Sequence, residues 1–205
     1  MKLIQQLPNA LTLTNMTLGL VVIFLVSGTN GQPGSIALGC LLILIGAFVD
    51  SIDGRLARYL NSTTDLGKQL DSFSDLITFG LAPISIIWQL GLLSQSVVAF
   101  LALGLFPLAG AFRLARHNIG EYEDYFEGLP ITAAGSILSL YVLGYRYFFN
   151  GVQDSLPVVV TLGLVVILAG LMVGKFKVRR IGLQNIQRAH YLTVESNGQT
   201  EGYKL

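Results

Sequence analysis

Four aspartates punctuate the stretch FVDSIDGRLARYLNSTTDLGKQLDSFSDLITFG, residues 48–80, which lies between apolar runs. Asp50 and Asp53 are three residues apart, and Asp71 and Asp75 are four apart. Each spacing puts two carboxylates on one face of a helix. The connecting segment, Tyr59–Gly67, is short, so the two helices run antiparallel as neighbours and their acidic faces can meet. Pairing with Arg55, Arg58 and Lys68 is the ordinary alternative, but the regular spacing favours a single cage. Ionised Asp near a membrane core is costly unless paired or bound to a cation. Two divalent cations would cancel the charge of four carboxylates. Hard oxygen ligands, with no His or Cys in the stretch, point to Mg²⁺ or Mn²⁺, or to Ca²⁺ as an occupant, rather than zinc. Two such ions in one carboxylate cage suit displacement at phosphorus.

The residues between the aspartates admit two readings each. Gly54 and Ala57 lack bulk, which leaves room for a ligand beside the backbone or for close helix packing. Arg58 can grip a phosphate through two parallel hydrogen bonds. Thr63, Thr64 and Asp65 precede the next apolar segment. Thr64 can cap that helix or touch a ligand, and Gly67 permits a tight approach.

The elements that position these groups are membrane helices. The chain of 205 residues is 52% hydrophobic and 12% charged, against roughly a quarter charged in soluble domains. Apolar runs near the ~20 residues that span a bilayer occur at 7–27, 35–56, 70–91, 94–115, 130–149 and 155–174. The expected fold is all-α and integral to the membrane, with six transmembrane helices in one domain over residues 1–180 and a polar tail over 181–205. Of 13 Lys and Arg, only Arg146 lies near an outer turn; the others lie at the ends or in the loops after the second and fourth helices. By the positive-inside rule, both termini and the acidic cluster face the cytoplasm. The first apolar run lacks a small-residue cleavage site and reads as a retained helix. Cys40 has no partner in the chain and reads as a packing residue. Lys175, Lys177, Arg179 and Arg180 can rest on anionic headgroups; the net charge of +1 says little by itself, and no nucleic-acid partner is expected.

Written out, the stretch is Asp50-x2-Asp53-Gly54-x2-Ala57-Arg58-x8-Gly67-x3-Asp71-x3-Asp75. It resembles the signature of the CDP-alcohol phosphatidyltransferase family at every fixed position, and the resemblance runs from Pro8 to about Arg180. The resemblance implies a CDP-linked lipid bound at the cytoplasmic face, an alcohol attacking phosphorus and CMP leaving. It implies that Asp50, Asp53, Asp71 and Asp75 hold the metals, with Asp75 also the general base. Pro8, Asn9, Gly54, Ala57, Arg58, Thr64 and Gly67 would line the CDP site. A homodimer in the cell membrane is also implied.

The acceptor is read from other segments. FRLARHNI, YFEGLPITAAG and LDSFSDLITFGLAP resemble segments of the family's phosphatidylserine synthases, which implies CDP-diacylglycerol and L-serine as substrates. His117 and Thr132 depart from that pattern, where Phe and Pro are typical. Arg113 and Arg116 are suited to a serine carboxylate, or to snorkelling at the interface, and Asn118 adds a polar contact. Glycerol 3-phosphate or inositol phosphate is the alternative acceptor, although a phosphorylated acceptor calls for more basic residues than these. A cation transporter would spread its acidic groups through the membrane depth, whereas here they cluster at one side. The motif fits ester- and ether-linked donors alike.

Overall fold

The computed structural model describes residues 7–59, 64–90, 97–119, 125–148, 158–175 and 177–179. The expected tail, 181–205, lies outside them. Helix α1 spans Leu7–Gly28 and α2 spans Pro33–Tyr59. The next rod is composite: α3 (Asp65–Asp75), a π-helical turn (Leu76–Leu81) and α4 (Ala82–Gln89). Then come α5 (Val97–Ile119), α6 (Ile131–Phe148) and α7 (Val158–Val173). These rods coincide with the six apolar runs. Four of them, Pro8–Gly28, Pro33–Leu56, Asp65–Gln89 and Val97–Ile119, are long and apolar enough to cross a membrane. The other two are shorter, at 18 residues for α6 and 16 for α7.

Local chemistry sets the ends. Pro33 opens α2, where a missing N–H costs no hydrogen bond. Asn30 and Gly31, with φ of 49° and 69°, make the left-handed turn between α1 and α2. The third rod begins at Asp65 rather than near Leu70, as the apolar run suggested. Thr64 caps it, its Oγ1 accepting the Gly67 N–H at 3.0 Å.

Val22, Ile36, Ile43, Phe79, Ile86, Phe106, Ile131 and Leu138 are fully buried between the rods. Large apolar side chains also cover the outside: Phe24 is 71% exposed, Phe48 69% and Leu108 67%. Water tolerates no such continuous apolar surface on a monomer; lipid tails do. The architecture is that of an integral membrane α-protein. Glycines draw the helices together. A Cβ on Gly135 of α6 would fall 2.5 Å from the Phe79 carbonyl, and one on Gly19 of α1 would fall 2.6 Å from Thr78 Oγ1. Small residues at such crossings are the usual means of packing helices in lipid.

One element departs from the all-α expectation. Strand β1 (Tyr125–Glu127) pairs antiparallel with β2 (Lys177–Arg179), Tyr125 opposite Arg179. The ribbon joins the segment between α5 and α6 to the basic segment after α7. Beside it, Leu129 N–H donates to the Leu171 carbonyl at 3.0 Å. Three-residue strands carry too little alternation to be read from sequence.

Candidate active site

The C-terminal part of α2 and the second half of α3 bring the acidic residues together. Asp50, Asp53 and Asp71 each offer a carboxylate oxygen, and these atoms lie within 4.8 Å of one another. Asp75 lies one turn further along α3 and is buried, and its carboxyl group comes within hydrogen-bonding reach of Asp50. Two carboxylates that face each other repel unless a cation or a shared proton lies between them. One Asp75 oxygen, Oδ1, is buried without a hydrogen-bond partner, a costly state for an anion unless something binds it. The donor set is carboxylate oxygen alone. It therefore fits hard divalent cations of the Mg²⁺ or Mn²⁺ kind.

Helix α1 closes the third side. Thr12 Oγ1 lies 3.0 Å from the Pro8 carbonyl and 3.3 Å from Asp53 Oδ2, placed to donate to either. Ser74 Oγ donates to the Thr12 carbonyl at 3.0 Å, and Thr78 Oγ1 to the Asn15 carbonyl at 2.9 Å. These two bonds fix α1 against the acidic rod. Pro8 is buried at the start of α1. Asn9 stands over the first turn of α3: a Cβ on Gly67 would meet Asn9 Oδ1 and Thr64 Oγ1, each at 3.1 Å. Gly54 is exposed, and a Cβ there would meet nothing within 4 Å. Helix packing therefore does not explain this glycine among the described residues. Ala57 and Arg58 occupy the last turns of α2; their side chains lie outside the described part of the structure.

Helix α5 supplies the cationic side. Arg113 is 6% exposed, and its Nε has no hydrogen-bond partner. Its charge acts on Asp75. Arg116, although only three residues on, turns to α7. Its guanidinium donates to the Val173 and Gly174 carbonyls at 3.1 and 3.4 Å and lies over the Phe112 ring. Asn118 Nδ2 donates to Ser72 Oγ at 2.9 Å, tying α5 to α3 beside Asp71.

Sequence reasoning missed three neighbours of the cluster. Thr12 and Thr132 place hydroxyls on Asp53 and Asp50, the latter at 3.4 Å. Asn15 is 1% exposed beneath the cluster. Thr132 had registered only as a departure from a pattern; Thr12 and Asn15 lie three residues apart on α1, a spacing that put them on the buried face.

Comparison with known proteins bears on the same residues. Residues 5–176 match the family described as CDP-alcohol phosphatidyltransferase. The CDP-diacylglycerol–serine O-phosphatidyltransferase of Bacillus subtilis is 34% identical over 142 residues, covering 69% of this chain and 76% of that protein. The Helicobacter pylori protein of the same name is 33% identical over 180 residues, or 83% of this chain and 70% of that one. The archaetidylserine synthase of Methanothermobacter thermautotrophicus is 35% identical over 144 residues, with 68% and 59% covered.

Proposed function

We propose that this chain, which belongs to the CDP-alcohol phosphatidyltransferase family, is a CDP-diacylglycerol–serine O-phosphatidyltransferase that makes phosphatidylserine and CMP. The observation that carries the reading is the meeting of Asp50, Asp53 and Asp71 within 4.8 Å, with the buried Asp75 beside them and Arg113 opposite. Relatives named for serine transfer support the choice of acceptor.

Asp50, Asp53, Asp71 and Asp75 would hold two divalent cations, Mg²⁺ or Mn²⁺. Bound there, such ions would neutralise the donor's diphosphate and stabilise the leaving phosphate. Pro8, Asn9, Gly54, Ala57, Arg58, Thr64 and Gly67 line the CDP site, with Arg58 gripping phosphate. Asp75 takes the proton from the serine hydroxyl. That oxygen bonds to the phosphorus carrying diacylglycerol, the bond from this phosphorus to the CMP oxygen breaks, and CMP leaves with the electron pair. Arg113 holds the serine carboxylate, since a guanidinium offers a planar two-point grip. Its buried Nε, unpartnered beside the cluster, supports that role. Arg116 and Asn118 serve the acceptor side by fixing α5 against α7 and α3.

On the same reading the protein lies in the cell membrane with six spans, and both termini and the site are cytoplasmic. The Lys and Arg distribution supports this orientation. Outward apolar faces serve lipid and a second copy in a homodimer. In a Cys40→Ala background, cysteines replacing Gln32 and Lys175 should label from opposite sides; labelling from one side overturns the topology. The function is tested by CMP release from purified protein with ester- and ether-linked CDP donors, offered serine, glycerol 3-phosphate or inositol phosphate. Release with serine alone is expected. Release only with glycerol 3-phosphate or inositol phosphate would leave the family chemistry standing and reject serine.

A further inference from the structure

Directly under the acidic cluster lies a second buried polar group that the reaction above does not use. Asn15 is 1% exposed, and both its side-chain atoms, Oδ1 and Nδ2, lack hydrogen-bond partners. Asparagine is rarely buried in this state, because an unpaired amide in an apolar setting forfeits its hydration without compensation. The neighbours locate it. A Cβ on Gly46 of α2 would fall 2.7 Å from Asn15 Oδ1 and 3.0 Å from Thr78 Cγ2. Gly46 lies one helical turn before Asp50 on the same face of α2, and Thr78 follows Asp75 by three residues. The amide thus occupies the layer beneath the Asp50–Asp75 pair. Gly46 keeps that layer open, since any side chain there would press on Asn15. In the layer above, Asp75 Oδ1 is itself buried and unpartnered. An orphaned donor and an orphaned acceptor therefore occupy adjacent turns of one polar seam.

We propose that one buried water joins Asn15 Nδ2 to Asp75 Oδ1, making Asn15 a positioning residue that fixes the rotation of the Asp75 carboxylate. A site flanked by an amide and a carboxylate offers a water the two to four polar partners it needs, and an apolar site would not. Groups behind a metal-binding or proton-accepting carboxylate set its orientation, and their loss typically costs about 10–100-fold in metal affinity or activity. The proposal rests on Asp75 acting in the reaction. Asp75→Asn is therefore measured in parallel: an active Asp75→Asn protein would reject that reading, whatever Asn15 does.

The test is Asn15→Leu, near in volume and unable to hydrogen-bond, alongside Asn15→Ala, which leaves space for further water. Thermal stability in detergent, CDP-diacylglycerol binding, Mn²⁺ binding by electron paramagnetic resonance, and kcat and KM are read on each. The Leu variant, near in volume, should melt close to the parent and should bind CDP-diacylglycerol normally. Its kcat or Mn²⁺ affinity should fall about 10–100-fold with the serine KM little changed. The Ala variant should be less stable than the Leu variant yet more active, as extra water replaces the amide. A Leu variant with parental kcat and Mn²⁺ affinity overturns the proposal. So does one in which stability, binding and activity all fall together, the mark of a purely structural residue.

Discussion

Replacing Gly54 with alanine should make the protein more stable and a worse enzyme. Gly54 lies within α2, and its Cβ direction is open for 4 Å. An alanine there gains helix propensity of about 1 kcal/mol and meets no protein atom. For a chain of this size that corresponds to a rise in melting temperature of roughly 2–4 °C. In the proposed CDP site the donor packs against this bare backbone, so the added methyl should overpack the bound state by about 1–3 kcal/mol. The KM for CDP-diacylglycerol should then rise roughly five- to 150-fold, while the serine KM at saturating donor stays unchanged. Thermal melts in detergent and CMP release across donor concentrations give both numbers. A Gly54→Ala protein that is stabilised and keeps the parental donor KM would show that no ligand touches this backbone, and the CDP site would have to be drawn elsewhere.

Further outcomes are expected. Asp75→Asn should lower kcat by about 10²–10⁴-fold, the usual worth of a general base, while CDP-diacylglycerol still binds in a direct binding assay. Exhaustive EDTA should abolish CMP release and added Mg²⁺ or Mn²⁺ should restore it; activity that survives chelation rules out the metal reading. Arg113→Lys should raise the serine KM by about tenfold or more, since an ammonium loses the planar two-point grip, and Arg116→Lys should instead lower thermal stability by loosening α5 from α7. Truncation after Lys175 removes β2, and proteolysis near Tyr125–Glu127 should then accelerate as β1 loses its partner.

The acidic cluster was the most legible part of the sequence. Four carboxylates at helical spacing on two neighbouring segments could hardly avoid meeting, and three of them do so within 4.8 Å. The rods were legible because apolar runs of bilayer length admit little else. The start of α3 was not, because Asp65–Gln69 is polar and only the Thr64 cap marks it. Arg113 and Arg116 looked equivalent at three residues apart, but a step of three leaves them about 60° apart around the helix. Arg113 is buried on the side where its charge acts on Asp75, and Arg116 reaches the Val173 and Gly174 carbonyls at the end of α7. Asn15 and Thr12 share a helix face by their spacing of three, but which face of α1 is buried shows only once its neighbours are known.

The π-helical turn at Leu76–Leu81 makes chain length itself a determinant of this site. A π turn holds a residue more than the α turn it replaces. Deleting that residue would let the turn close into plain α-helix with the two halves in nearly their present phase. Straightening the turn with the residue kept would instead rotate the halves apart by roughly 100°, one residue's share of a 3.6-residue turn. Either Asp71 and Asp75 would then swing away from α2, or Ile86 and Ile87 would swing out of the core, where they are now buried. The acidic cluster and the core anchor are thus held in phase because the surplus residue is taken up as a bulge. One further residue inserted beside it would break that phase, whereas an insertion of three or four, close to a full turn, would nearly preserve it.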